Sequence, residues 1–186
     1  MVILAFLTES PMHAYRIHEL IKLRGKDSVV NVSQRNSVYQ TIERLLRTGV
    51  IHILETSRQE GRPERVVYAI TESGRETLRA WVAGMLAEPV NEFPEFPAAL
   101  ATIAALSQDE AKQQLERRVV ALEQEVAASV AAAQEALSLG VPRLFLIEDE
   151  YKRAVMTAEI AWIRSLVDDF ESATIAWSEE SLRQMA

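Results

Sequence analysis

Residues 33–70 read SQRNSVYQTIERLLRTGVIHILETSRQEGRPERVVYAI, and within them one periodicity gives way to another. Val38, Ile42, Leu45 and Leu46 recur at steps of four, three and one, which marks the inward stripe of a helix. Ser33 stands in front as a good N-cap type, and Gly49 is the residue type that ends a helix in the left-handed conformation. Gln34, Arg35, Ser37, Gln40, Thr41 and Arg44 lie on the other faces. Beyond the glycine come two short β-prone runs, Ile51–Glu55 and Val66–Ile70. They flank Thr56–Arg65, which holds Arg58, Gly61, Arg62, Pro63 and Arg65, so this part predicts a hairpin with a long basic tip.

Upstream, Val2–Thr8 is a short apolar run that predicts a helix, interrupted by Ser10-Pro11. From Met12 the pattern is again helical. Tyr15, Ile17, Leu20, Ile21 and Leu23 fall near one face, with Arg16, Glu19 and Lys22 opposite, and Gly25-Lys26-Asp27-Ser28 reads as the stop. Downstream, Thr71-Glu72 caps a helix running to about Leu86. Three helices followed by a basic hairpin is the order of a winged helix-turn-helix. A helix of this size fits the major groove and presents its N-terminal side chains to base edges. A two-stranded wing tipped with arginine meets phosphate or the minor groove. A helical domain with an incidental basic hairpin is the alternative reading of the same pattern.

The linker 88–97 contains Pro89, Pro94 and Pro97, which predicts no regular helix there. The expected organisation is therefore a winged domain over 1–87, this linker, and a helical domain over 98–186: a mainly α chain with C-terminal long helices for dimerisation. Ala98–Leu106 is short and apolar. Ser107-Gln108-Asp109-Glu110 is a capping box that opens a run of about 32 residues, roughly 48 Å at 1.5 Å per residue, closed by Gly140-Val141-Pro142. Its apolar stripe is Leu115, Val119, Leu122, Val126, Val130, Ala133 and Leu137. A last helix from about Arg143 to Phe170 carries Leu144, Ile147, Tyr151, Val155, Ala158, Trp162 and Leu166 on one side. Stripes this long cannot be buried on an 80-residue front domain, so the two helices should pack on each other and on a second copy. Trp177, in the tail, receives no role.

The net charge of -7 hides an asymmetry. Residues 1–81 carry 12 Lys+Arg and 9 Asp+Glu, whereas residues 82–186 carry 8 and 18. Polyanion binding follows the local potential, so a basic front on an acidic body is compatible with a nucleic-acid partner. With 48% hydrophobic residues the chain has enough apolar surface to fold, and without cysteine it has no disulfides, thiolate metal sites or cysteine nucleophiles. The longest apolar run, Pro97–Leu106, is far short of the roughly 20 residues of a membrane helix, and Val2–Leu7 has no basic segment in front of it, unlike a signal peptide. A cytoplasmic protein is expected. His18-Glu19-Leu20-Ile21-Lys22 misses the His-Glu-x-x-His zinc motif at its last position. No nucleophile elbow, phosphate loop or dinucleotide fingerprint is present. Glu148-Asp149-Glu150 reads as a solvated run. Neither an enzyme, a metal nor a cofactor is expected.

Four motifs in series then resemble the PadR family of transcriptional regulators. They are Val2–Ile17 (VILAFLTESPMHAYRI), Ser37-Val38-Tyr39 with Ile42-Glu43-Arg44-Leu45, Gly61-Arg62-Pro63, and Tyr68–Arg75 (YAITESGR). Two positions depart from the family pattern. Ala14 stands where glycine is common after the histidine, and Arg35-Asn36 stand where a small Pro-Gly-like pair is common, at the front of the reading helix. The resemblance implies a homodimeric, usually repressive regulator on a pseudo-palindromic double-stranded operator. It implies DNA contacts from Tyr39, Arg44 and Arg62, with packing as the alternative for Tyr39. Tyr15 and Tyr68 are read as structural. Some longer members sense phenolic acids. Trp81, Phe93, Phe96, Tyr151 and Trp162 are the aromatic candidates for such a small effector, with ordinary core and interface packing as the alternative. The full set of DNA candidates is Gln34, Arg35, Asn36, Ser37, Tyr39, Gln40, Arg44, Arg58, Arg62 and Arg65. The dimerisation set is Leu115, Val119, Leu122, Val126, Val130, Leu144, Ile147, Tyr151, Val155 and Trp162. The rival functions are a helical protein-interaction module and an orphan ligand-binding protein without a DNA role.

Overall fold

A computed structural model describes residues 1–26, 35–57 and 65–178. The chain forms two compact units, Met1–Asn91 and Glu92–Ala186. It is mainly helical, with one small antiparallel sheet.

In the first unit, α1 (Val2–Glu9) buries Ile3, Leu4, Phe6 and Leu7. The chain then turns extended at Ser10, and after Pro11 a two-residue strand forms, β1 (Met12–His13), where the sequence pattern predicts helix from Met12. Tertiary pairing outcompetes local propensity here. Met12 is opposite Tyr68 and His13 opposite Val67, and the His13 ring nitrogen Nδ1 lies 3.0 Å from the Val66 carbonyl. The second helix, α2, therefore starts only at Ala14 and runs to Leu23. Ala14, Ile17, Leu20 and Ile21 form its buried face. Tyr15 and Leu23, expected on that face, are 59% and 73% exposed. At 100° per residue they project away from it, so Tyr15 lies on the surface and not beside the core.

The third helix, α3 (Arg35–Arg47), buries Val38, Ile42 and Leu45, and Leu46 packs partly against the same core. It ends at Gly49, whose φ of +72° requires no Cβ, with Val50 N–H bonded back to the Leu45 carbonyl at 3.2 Å. The sheet has the order β1-β3-β2, with β2 spanning Ile51–Ser57 and β3 spanning Arg65–Ile70, and a bulge between Ile53 and Glu55. Thr71 caps α4 (Glu72–Ala87): its Oγ1 accepts from Gly74 N–H at 3.0 Å and donates to the Gly49 carbonyl at 2.9 Å. Gly74 allows this junction, because a Cβ there would lie 2.0 Å from the Val50 carbonyl oxygen. This is the winged helix-turn-helix order read from the sequence.

The irregular stretch after α4 is shorter than the prolines suggest. The fifth helix, α5, spans Glu95–Ala101 and includes Pro97. Proline fits at its third position, where the backbone N–H would have no partner in any case. A 3₁₀ turn at Ile103–Ala105 leads to the capping box, with both reciprocal bonds present, and to α6 (Gln108–Ser138). A second 3₁₀ turn at Arg143–Phe145 precedes α7 (Ile147–Glu171). The two long helices run antiparallel. Lys112 bonds Glu171 at 2.5 Å near one end, and Lys152 bonds Glu125 at 2.6 Å further along, with Arg118–Glu159 and Arg164–Glu123 between them.

The core of the second unit holds Ala111, Leu115 and Val119 of α6 against Ile160, Ile163 and Phe170 of α7. Leu115 and Val119 thus belong to the chain's own helix pair and offer no surface to a second copy. Of the α7 stripe read from the sequence, Leu166 packs partly on this core. The buried residues Met156 and Ile163 follow Val155 and Trp162 by one position, a rotation of about 100°, and Ile160 is buried between them. Trp177 also has a place: its ring meets Phe170 edge-on at 5.2 Å, and its Nε1–H donates to the Leu106 carbonyl at 2.9 Å. Among the described residues no helix is long and apolar enough to cross a membrane.

Candidate nucleic-acid interface

The core stripe of α3 fixes what the opposite side presents. With Val38, Ile42 and Leu45 turned inward, Gln40, Arg44 and Arg47 stand at steps of four and three on the outward face, and all three are exposed. Arg47 was not among the sequence candidates. The signal was available, since it continues the Gln40–Arg44 step by three. Ser37 is half-buried; its carbonyl accepts from Thr41 Oγ1 at 2.7 Å, so the Thr41 hydroxyl is spent on the helix itself.

Tyr39 lies at the flank and is 46% exposed. It faces the sheet side, where Tyr68 is half-buried against the core. Burial pushes the Tyr68 hydroxyl above the usual tyrosine range, and the neighbouring Tyr39 and Glu43 add to the rise. Tyr39 is therefore near enough to Tyr68 to act on it electrostatically, and is about half open to solvent. At the wing, Arg65 opens β3 opposite Ser57 and is exposed. Gln34, Arg58 and Arg62 lie outside the described residues, as do the side chains of Arg35 and Asn36.

The electrostatics separate these cations from Arg16 and Arg24. Among the described residues no ion pair holds Arg44, Arg47 or Arg65, whereas Arg16 is bonded to Glu19 at 2.6 Å and Arg24 to Glu9 at 2.5 and 2.8 Å. A cation already paired with a carboxylate has little left to give a phosphate; an unpaired one on a rigid helix has its full charge available. Among the described residues no cluster of side chains suits a metal ion.

The other candidates are more dispersed. Val130, Leu144, Ile147, Tyr151, Val155 and Trp162 are between 40% and 73% exposed, while Leu122 and Val126 pack partly on the core of the second unit. Of the aromatic set, Phe96 and Trp162 meet edge-on at 6.3 Å. Phe93 and Tyr151 are exposed at 91% and 73%, and Trp81 belongs to α4 of the first unit.

Residues 3–80 match the model of the transcriptional regulator PadR-like family. No curated protein matches the chain. Among solved structures, the chain is similar to Bacillus subtilis PadR in complex with operator DNA, with a TM-score of 0.70 and 19% identity over 91% of this chain and 96% of that one. The same protein in complex with p-coumaric acid gives a TM-score of 0.70 and 17% identity, over 91% and 96%. The Vibrio cholerae virulence activator AphA gives 0.66 and 20%, over 92% and 97%.

Proposed function

We propose that this chain, which carries the PadR-like regulator's domain over residues 3–80, is a DNA-binding regulator of transcription that works as a homodimer. The observation that carries the reading is the outward face of α3, where Gln40, Arg44 and Arg47 stand exposed on a helix whose other side is locked in the core. Gln40, with Ser37, Gln34, Arg35 and Asn36 at the front of the helix, supplies the hydrogen-bonding groups that read base edges. Arg44, Arg47 and the wing arginines Arg58, Arg62 and Arg65 supply phosphate contacts, with Tyr39 alongside.

Two copies related by a twofold axis place two reading helices about 34 Å apart, one helical turn of DNA, so the operator is pseudo-palindromic. The exposed apolar residues Ile147, Tyr151, Val155 and Trp162 of α7 form the surface of the second copy. The sign of regulation is repression of its own or a neighbouring promoter, relieved by a small aromatic effector. The likeness to a relative solved with p-coumaric acid supports a ligand of that size. The role is one of binding and not of catalysis.

The test is fluorescence anisotropy of the purified chain on its own upstream duplex and on a scrambled one at two salt concentrations. Tighter binding to the upstream duplex, weakening as salt rises, is the expected result. No binding to either duplex at low salt sinks the reading. Arg62→Ala should weaken binding to all sequences alike, while Gln34→Ala should mainly relax preference at one base; equal effects of the two on both duplexes would contradict this division of labour.

A further inference from the structure

Asn36, Gln40, Glu43 and Arg47 follow one another along α3 at steps of four, three and four, so at 100° per residue these positions share one line of the helix. That line runs opposite the core stripe of Val38, Ile42 and Leu45. Gln40, Glu43 and Arg47 are all exposed on it. It is the centre of the face that carries the DNA-binding reading, and one of its members is a carboxylate.

A carboxylate has the wrong sign for that place. Phosphates draw cations, and a like charge brought within a few ångströms of one is repelled. The usual remedy on a helix is a basic residue four positions on, and Arg47 stands there. Yet among the described residues no ion pair or hydrogen bond engages the Glu43 side chain. Its charge does reach the Tyr68 hydroxyl, which Glu43 and Tyr39 together help to hold above the usual tyrosine range. Glu43 therefore belongs to the sheet side of the line, with its oxygens open to an incoming donor.

The base edges decide which donor that is. In the major groove guanine presents the acceptors N7 and O6, and thymine presents the O4 acceptor and a methyl group. Neither can donate to a carboxylate. Adenine offers its N6 amino group beside the N7 acceptor, which faces a second carboxylate oxygen unfavourably. Cytosine offers its N4 amino group alone. Gln40, one turn before Glu43, carries a donor and an acceptor, and Arg47, one turn after, carries donors only. Over about 10 Å of helix axis the line thus passes from a mixed group to a pure acceptor to a pure donor.

We infer that Glu43 reads cytosine: its carboxylate accepts from the N4 amino group of one cytosine per bound chain and rejects guanine and thymine at that position. The inference deepens the DNA-binding reading above and rests on it. A charge that weakens binding to DNA in general and recovers the loss at one base widens the gap between the right site and the wrong ones.

The experiment is selection of sites from a pool of random duplexes by the full chain, by Glu43→Gln and by Glu43→Ala, followed by anisotropy on duplexes carrying each of the four bases at the position that changes. We expect the unaltered chain to prefer cytosine over guanine there by about tenfold, the cost of one mismatched contact. Glu43→Gln should favour adenine at the same position, because an amide pairs with N6 and N7 together, and Glu43→Ala should accept all four bases alike. Both variants should bind a scrambled duplex more tightly than the unaltered chain, since a like charge has left the DNA face. The side chain is exposed, so the melting temperature should not move. The same selected site from all three chains overturns the inference. So does a loss shared equally by all four bases, which would tie Glu43 to Tyr39 and Tyr68 and not to DNA. A pool from which the unaltered chain selects nothing overturns the regulator reading and this inference with it, whereas a selected site that ignores both substitutions overturns this inference alone.

Discussion

Helices α3 and α7 spend their side chains in opposite ways. On α3 the aliphatic residues Val38, Ile42 and Leu45 are all buried, and the cations Arg44 and Arg47 are exposed with no ion pair among the described residues. On α7 the cations are committed: Lys152 to Glu125, Arg153 to Ser129 Oγ at 3.0 Å, and Arg164 to Glu123. Its apolar residues are instead divided between an inward face and an outward one, with Ile147, Tyr151, Val155 and Trp162 about half exposed or more. Exposed unpaired charge suits a polyanion whose binding releases counterions. Exposed apolar surface suits a second protein surface. The two helices thus have unsatisfied surface of two different kinds, and each suits its own class of partner.

The severest way to break the first half of that comparison is at Gly74. A Cβ there would sit 2.0 Å from the Val50 oxygen and 2.8 Å from Ile70 Cγ1, so Gly74→Ala must push α4 away from the end of α3 and the start of β2. The expected cost is about 3 kcal/mol or more, at the upper end for overpacking. Thermal unfolding should show the loss, and DNA binding should go with it. An unaltered melt would mean that α4 moves off Val50 freely.

The second half breaks at Tyr151 and Val155. Tyr151→Glu with Val155→Glu places two charges on the exposed stripe while leaving Ile160, Ile163 and Phe170 in their core. If this stripe pairs two copies, their association should weaken by about 3 kcal/mol, roughly a hundredfold in Kd. Sedimentation at several concentrations measures this, and circular dichroism should show the helices intact. A dimer of undiminished affinity would move the interface elsewhere.

How far these faces were legible in the sequence depends on how many partners each helix has. On α3 a single apolar stripe admits one inward orientation, so Val38, Ile42 and Leu45 and the opposite face followed directly from spacing. Helix α7 has two adjacent apolar stripes, and periodicity alone does not say which meets its own chain. The sequence stripe runs through Val155 and Trp162, whereas the buried residues are Met156, Ile160 and Ile163. The strand at Met12–His13 was hidden for a related reason: its pairing partner, β3, lies more than fifty residues away, and local pattern carries no trace of it. Pro97 and Trp177 were misjudged as a helix breaker and a free tail residue. The first sits in an unpartnered first turn, and the second gains its place from Phe170 and Leu106. Arg47 was legible and was overlooked.

Arg47 gives a milder and more specific test of the α3 face. If its charge meets phosphate, Arg47→Ala should weaken binding to the upstream and scrambled duplexes alike. It should also reduce the slope of log affinity against log salt by about 1. Anisotropy at several salt concentrations reads the slope directly. A change confined to the upstream duplex would make Arg47 a base contact instead.

The smallest effect sharpens the contrast between spent and unspent cations within the first unit. Arg24 grips Glu9 with two bonds and lies 5.2 Å from the centre of the Phe6 ring, and those bonds hold the Glu9 carboxyl below its ordinary range. A carboxyl with a lowered folded pKa adds stability above its unfolded value of 4.5, and that stability is lost as pH falls through the lowered one. Both side chains are largely solvated, with 39% and 46% exposure, so screening limits the pair to about 1 kcal/mol at most. Glu9→Gln should therefore lower stability slightly at pH 7 and match the unaltered chain at pH 2, with a shallower acid limb between. Urea unfolding at the two pH values measures the difference. A deficit of the same size at both would assign the effect to shape and not to charge, and Arg24 would then have to be counted with Arg44 and Arg47 as a cation still free to meet an anion.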